Sequence, residues 1–135
     1  MKKVINVVGA IIANDSGEIL CALRSAKMHH GNLWEFPGGK IEDGEDYCQA
    51  IVREIKEELN CEIEFIKKYH SNFYEAAEIL INLTTLNCKL IAGEPIVTEH
   101  AKLLWLSKDN LSSLNWAPAD LPTVQLLMQE KYNRK

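Results

Sequence analysis

The stretch from Pro37 to Asn60 leaves the chain few ways to fold. Pro37-Gly38-Gly39 and Asp43-Gly44 exclude a helix before about residue 45. Directly after them, Cys48, Ile51, Val52, Ile55 and Leu59 fall on one stripe at i, i+3, i+4 spacing, which predicts an amphipathic helix over Asp46–Leu59. Asn60 follows where a left-handed C-terminal residue is expected. Such a helix is stable only when its apolar stripe lies on another layer, and the flanking sequence supplies strands to build that layer. Val4–Ala13 reads as a buried Val/Ile-rich strand, and the turn Asn14–Gly17 leads to a second strand, Ile19–Arg24. Residues 25–33, with His29 and His30, read as a loop. Glu62–Tyr74 and Glu78–Leu90 read as two longer strands around Glu75-Ala76-Ala77. In the second of these, Ile79, Ile81, Leu83 and Thr85 share one face. A short strand over Leu103–Leu106, a short helix over Ser107–Leu114 and a terminal helix over Leu121–Tyr132 complete the pattern. Strands in both halves with a central and a terminal helix predict a mixed α+β, sandwiched arrangement rather than a βαβ repeat.

At 135 residues the chain is one domain's worth of protein, and the expectation is a single domain over 1–135. Fifteen Lys and Arg oppose nineteen Asp and Glu, a net charge of −4 that disfavours a stable nucleic-acid partner or an anionic membrane surface. No apolar stretch reaches the roughly 20 residues that span a bilayer, and the Met1–Ala13 segment lacks a clear cleavage site after its apolar run. Cys21, Cys48, Cys61 and Cys88 form no C-x-x-C pair and read as reduced thiols of a cytoplasmic protein. The acidity is local. Residues 35–62 hold nine acidic and three basic side chains, a charge of −6, while the rest of the chain sums to +2.

That acidity is sharpest on the central helix, where Glu54, Glu57 and Glu58 share an arc of about 100°. Like charges at this spacing destabilise a helix and raise one another's pKa. A divalent cation removes both costs, because hard cations such as Mg²⁺ take oxygen ligands together with water and phosphate. A solvated acidic face is the alternative for an isolated E-x-x-E-E.

The surroundings favour the metal. Gly39, Glu45 and Arg53-Glu54-Ile55-Lys56-Glu57-Glu58 form the pattern G-x5-E-x7-R-E-U-x-E-E, with U a large apolar residue. This resembles the Nudix box, the signature of the Nudix hydrolase superfamily. Asn60 and Cys61 stand where the family usually has a glycine and an apolar residue. The N-terminal strands, Glu35–Glu42, Glu99 and Trp105 are similar to the MutT-like branch, and Trp116–Pro122 looks more like its CTP-hydrolysing members. The resemblance implies the Nudix fold: an α/β/α sandwich around a mixed sheet, with the box as a loop-helix-loop and a helix at the C-terminus.

The resemblance also implies roles. Glu54, Glu57, Glu58, the Gly38 carbonyl and Glu99 would ligate Mg²⁺, with Mn²⁺ an alternative. Glu54 is the first candidate for the base that activates water, and Glu99 the other. Arg53 would fix the carboxylates by ion pairing. Glu45 either caps the helix start or serves the site. Phe36 and Asp120 resemble base-pocket positions, and Arg24 one near the nucleotide. A carboxyl at Asp120 can accept from an exocyclic amine, though it can equally cap the last helix. Trp34 and Trp116 are read as core, and His29 and His30 as plain loop residues.

The implied activity is metal-dependent hydrolysis of a nucleoside triphosphate to the monophosphate and diphosphate, with (d)CTP, modified dCTP and 8-oxo-dGTP as candidate substrates. It would serve nucleotide-pool sanitation and DNA repair, or pool regulation, by a monomer or homodimer. A Nudix hydrolase of another diphosphate is the alternative. However, no proline lies between Pro37 and Pro95 to match ADP-ribose hydrolases, and Arg24 and Gly31 match the coenzyme A pattern only loosely. A catalytically silent nucleotide sensor would typically have lost box carboxylates, and all are present here.

Overall fold

The computed structural model describes residues 2–28 and 31–133, so His29 and His30 lie outside the described residues. Seven strands among the described residues form one mixed sheet: β1 (Lys3–Ala13), β2 (Ile19–Leu23), β3 (Trp34–Glu35), β4 (Gly38–Lys40), β5 (Glu62–Glu75), β6 (Ile79–Ala92) and β7 (Lys102–Leu106). The main order is β3-β2-β1-β6-β5, with β4 paired to β1 and β7 to β2. The helices are α1 (Tyr47–Leu59) and α2 (Leu121–Asn133), and a 3₁₀ turn spans Lys108–Ser113.

The axis of the sheet is a parallel pairing of β1 and β6, in register from Lys3↔Ile79 to Ala13↔Lys89. Strands covered on both faces read as unbroken apolar runs, and β1 does so in its second half. Val8, Ala10 and Ile12 join Leu86, Cys88 and the buried stripe of α1 in one core. Ile11 joins Ile19, Cys21, Leu111, Trp116, Val124 and Leu127 in a second. The sheet is thus sandwiched between α1 and the layer formed by α2 and the 3₁₀ turn, as the α+β expectation required.

Three details depart from the sequence reading. The first half of β1 is not buried: Val4 is 50% exposed, and Ile5 and Val7 line a cavity. Val52 is exposed too, so the stripe of α1 is Ala50, Ile51, Ile55 and Leu59. The short strands β3 and β4 were not foreseen. β4 pairs antiparallel with Val7–Gly9 and delivers the chain to the start of α1. Among the described residues no helix is long and apolar enough to cross a membrane.

Candidate active site

The site is built where β4 runs into α1. Asp46 caps the helix: its side chain accepts from Gln49 N–H at 2.7 Å, while Gln49 Oε1 accepts from Asp46 N–H at 3.0 Å. Asn60 closes the other end at φ 53°, the left-handed conformation the sequence called for. With both ends fixed and the apolar stripe buried, the opposite edge of α1 carries Arg53, Glu54, Glu57 and Glu58.

Arg53 organises this edge. Its Nε and Nη2 donate to the two oxygens of Glu45 at 2.6 and 3.0 Å, a bidentate pair. Its Nη1 donates to Glu54 at 3.0 Å and Glu57 at 3.1 Å, and its Nη2 also reaches the Lys40 carbonyl at 3.1 Å. Glu45 is therefore not the helix cap. Asp46 has that role, and Glu45 anchors Arg53 from the loop while accepting from Glu42 N–H at 3.0 Å. The Arg53 guanidinium, followed by that backbone bond, holds the Glu45 carboxyl below its usual range.

Two glycines let β4 and the helix meet. A Cβ on Gly38 would stand 1.9 Å from the Val8 carbonyl oxygen, and one on Gly39 would stand 2.5 Å from the Glu54 carboxylate. Glu54 thus occupies the space that any other residue at position 39 would fill.

Glu58 is the carboxylate that Arg53 does not reach. Its Oε1 is buried with no hydrogen-bond partner. Burial, followed by the negative charges of Glu54, Glu35 and Glu99, pushes its carboxyl up to about 8, against the lowering effect of the Gly38 N–H. The segment after β6 brings Glu99 here. Ile96 N–H donates to the Leu59 carbonyl at 3.0 Å, and Thr98 Oγ1 donates to the carbonyl of Glu58. Glu54, Glu35 and Glu99 thus lie close enough for their charges to act on Glu58, whose own buried oxygen no cation or donor reaches. A divalent cation fits this donor set. Among the described residues no three such groups close a complete cage by themselves. That suits an ion such as Mg²⁺, which keeps several waters and substrate phosphates among its ligands.

A cavity of about 480 Å³ opens beside these groups. Its lining includes Gly38, Gly39 and Glu58 together with Phe36, Asp120 and Arg24. Phe36 is buried, its ring centroid 4.8 Å from that of Trp116, and its N–H donates to Asp120 Oδ1 at 3.2 Å. Asp120 is only 7% exposed. Burial, and then the charge of Glu35, raises its carboxyl well above the ordinary range, opposed by the Phe36 N–H and Arg24. Its side chain is turned to the backbone of the link between β3 and β4, and its own carbonyl accepts from Val124 N–H at the start of α2. Trp116 donates through Nε1 to the Leu111 carbonyl at 2.7 Å, and neither it nor Trp34 lines the cavity, as expected of core residues.

Two lining residues had no role in the sequence reading. Glu35 accepts from Arg24 Nη1 at 2.6 Å, and His100 Nε2 lies 2.7 Å from its other oxygen. Glu35 stands in the Glu35–Glu42 run and His100 directly follows Glu99, yet neither has a spacing that marks it as chemistry.

The sequence and fold are similar to those of known proteins. The NUDIX domain model matches residues 3–127. The CTP pyrophosphohydrolase of Escherichia coli K12 is 38% identical over 126 residues, covering 93% of each chain. The 8-oxo-dGTP diphosphatase of the same strain is 36% identical over 127 residues, covering 94% of this chain and 98% of its own. A solution NMR structure of the DNA mismatch repair protein MutT, family Nudix hydrolase, from methicillin-resistant Staphylococcus aureus 252 superposes with a TM-score of 0.79. It is 48% identical and covers 96% of this chain and 99% of its own.

Proposed function

The chain belongs to the NUDIX domain family and is a hydrolase of that family, and on this premise we propose that it is a nucleoside triphosphate pyrophosphohydrolase. The reaction adds water across a phosphoanhydride, so that a nucleoside triphosphate yields the monophosphate and diphosphate. One observation carries the reading. Glu58, Gly38 and Gly39 line the same cavity as the buried pair Phe36 and Asp120, a space large enough for a nucleotide and able to meet both its phosphates and its base.

Glu54, Glu57, Glu58, Glu99 and the Gly38 carbonyl would hold Mg²⁺, or Mn²⁺, which supplies charge neutralisation and a polarised phosphoryl group. Arg53 keeps Glu54 and Glu57 aligned against their mutual repulsion. Glu54, packed on Gly39, is the first candidate to take the proton from the attacking water, and Glu99 is the second. Phe36 offers an apolar surface to the base. Asp120, biased by burial toward its protonated form, can both donate to and accept from a base edge. That supports CTP, dCTP, modified dCTP or 8-oxo-dGTP as substrates, and a role in nucleotide-pool sanitation. Arg24 lines the same cavity and adds a positive charge to it. The thiols of Cys21, Cys61 and Cys88 are buried and unpaired, and Cys48 is half-buried, which supports a reducing cytoplasmic setting.

A panel of nucleotides assayed for diphosphate release with Mg²⁺ tests this reading. Turnover of a cytidine triphosphate or 8-oxo-dGTP in preference to unmodified purine triphosphates is expected, and no turnover of any triphosphate overturns it.

A further inference from the structure

Beyond the carboxylates of α1, His100 is a buried polar side chain that is only half satisfied. The His100 side chain is 1% exposed. Its Nε2 stands 2.7 Å from Glu35 Oε2, and its Nδ1 is shut off from solvent with no partner. The other Glu35 oxygen receives Arg24 Nη1 at 2.6 Å. A carboxylate accepts from an imidazole N–H at Nε2, and Nδ1 lacks a partner whichever tautomer or charge the ring carries. Burying a polar nitrogen without a partner is costly. A residue needed here only to fill space would be apolar.

The neighbours of Glu35 show what the imidazole does. Glu35 lines the cavity with Glu58 and Asp120, and its charge acts unfavourably on both. Left to itself, the Glu35 side chain would swing toward solvent to relieve that repulsion. Arg24 and His100, one on each oxygen, hold it in place. The segment carrying His100 is equally informative. Thr98 is tied to the carbonyl of Glu58, His100 to Glu35, and Ala101 N–H to the Leu23 carbonyl at 2.9 Å. Glu99 is exposed, carries no hydrogen bond of its own among the described residues, and sits between the first two of these ties. Its backbone is therefore held by Thr98 on one side and His100 on the other.

We propose that His100 is a positioning residue that fixes Glu35 against the base pocket and, through the backbone it anchors, fixes Glu99 among the metal-binding carboxylates. One imidazole thereby ties base recognition to assembly of the metal site. This rests on reading the cavity as a nucleotide site.

The test uses two variants of the full chain that both fill the space. His100→Leu keeps the volume and loses the bond to Glu35. His100→Gln keeps an N–H within reach of the place Nε2 occupies. Each is assayed for kcat and KM on cytidine and guanosine triphosphates, and for Mn²⁺ binding to the metal-free protein from the electron paramagnetic resonance signal of free Mn²⁺. For His100→Leu, the ratio of kcat/KM between the two nucleotides should fall about tenfold, and Mn²⁺ should bind about tenfold more weakly. His100→Gln should restore both. A purely structural histidine predicts the reverse, with folded His100→Leu matching the wild type, and that result overturns the proposal. If the wild type hydrolyses no triphosphate, the nucleotide reading falls instead. The Mn²⁺ measurement needs no turnover and still decides whether His100 positions Glu99.

Discussion

The backbone N–H of Phe36 donates to Asp120 Oδ1 at 3.2 Å, joining residues 84 positions apart in the chain. This bond stitches the start of α2 to the link between β3 and β4, and it places an acid and an aromatic ring side by side in the cavity. Asp120→Ala removes the acceptor and leaves a buried N–H unpaired, which costs about 1–3 kcal/mol. It should also shift the preference among CTP, dCTP and 8-oxo-dGTP by about tenfold. Asp120→Asn, which keeps an acceptor without a charge, should retain most of the stability. Kinetics on the three nucleotides with thermal denaturation separate the effects. Unchanged preference in Asp120→Ala would reduce this residue to an anchor for Phe36.

Gly38 and Gly39 predict two different failures. A Cβ on Gly38 meets backbone, the Val8 oxygen at 1.9 Å, so β4 must move off β1. Gly38→Ala should lower stability by about 1–3 kcal/mol. The three atoms nearest a Cβ on Gly39 all belong to the end of the Glu54 side chain, which can turn away. Gly39→Ala should therefore melt near the wild type and lose most of its turnover. Equal loss of stability in both would show that Glu54 is not what Gly39 makes room for.

The parts of the molecule legible in the sequence are those with local physical causes. The stripe of Ile51, Ile55 and Leu59 has the helical period, the preceding glycines mark where the helix starts, and Asn60 tolerates φ 53° where it ends. Arg53, Glu54 and Glu57 are brought together because a helix places residues three and four apart side by side. What could not be read was decided by distant partners. β3 and β4 are two and three residues long, too short for any period, and exist because Ala22–Leu23 and Val7–Gly9 offer them a ladder. Glu45 looked like a helix cap because it lies near the helix start. Asp46 takes the cap through its reciprocal bonds with Gln49, which leaves Glu45 to Arg53. Glu35 and His100 meet across 65 residues, a contact that neither motif spacing nor local propensity encodes.

Glu57 separates a working hydrolase from a silent nucleotide-binding domain. It is exposed and pairs only with Arg53 among the described residues, so replacing it disturbs little of the fold. Glu57→Gln keeps its size and removes the charge it would offer a metal. Turnover with Mg²⁺ should fall by about a hundredfold or more, the scale for losing one charge-stabilising group, while the melting temperature stays close to that of the wild type. Full activity in this variant would contradict the assignment of Glu57 to the metal.

Glu58 makes stability and metal binding depend on pH. Its carboxyl is pushed from 4.5 up to about 8. Between these values the folded, metal-free protein holds a proton that the unfolded chain has released. The stability this contributes is therefore full below the unfolded value and is lost as the pH rises through about 8. The metal-free protein should melt progressively lower across that window, and Glu58→Gln should flatten the trend. Metal needs the ionised carboxylate, so Mg²⁺ binding near pH 7 should release about one proton and near pH 9 almost none. Calorimetry in two buffers of different ionisation enthalpy reads that number directly. Equal release at both values would place the proton elsewhere.

Arg53 is the last link between loop and helix, and its planar fork is what the site uses. Nε and Nη2 take both oxygens of Glu45, leaving Nη1 for Glu54 and Glu57. A lysine ammonium is a single point of charge and cannot grip Glu45 at two atoms while reaching two further carboxylates. In Arg53→Lys, Glu54 and Glu57 lose their common partner and are free to move apart, so turnover should fall about 10- to 100-fold. The charge is retained and the pairs are partly solvent-exposed, so stability should change by no more than about 1 kcal/mol. Mg²⁺ at saturating concentration should recover part of the loss, because the cation then supplies the attraction that the guanidinium gave. A variant that melts far below the wild type yet turns over normally at permissive temperature would make Arg53 a strut of the fold, with no part in aligning the carboxylates.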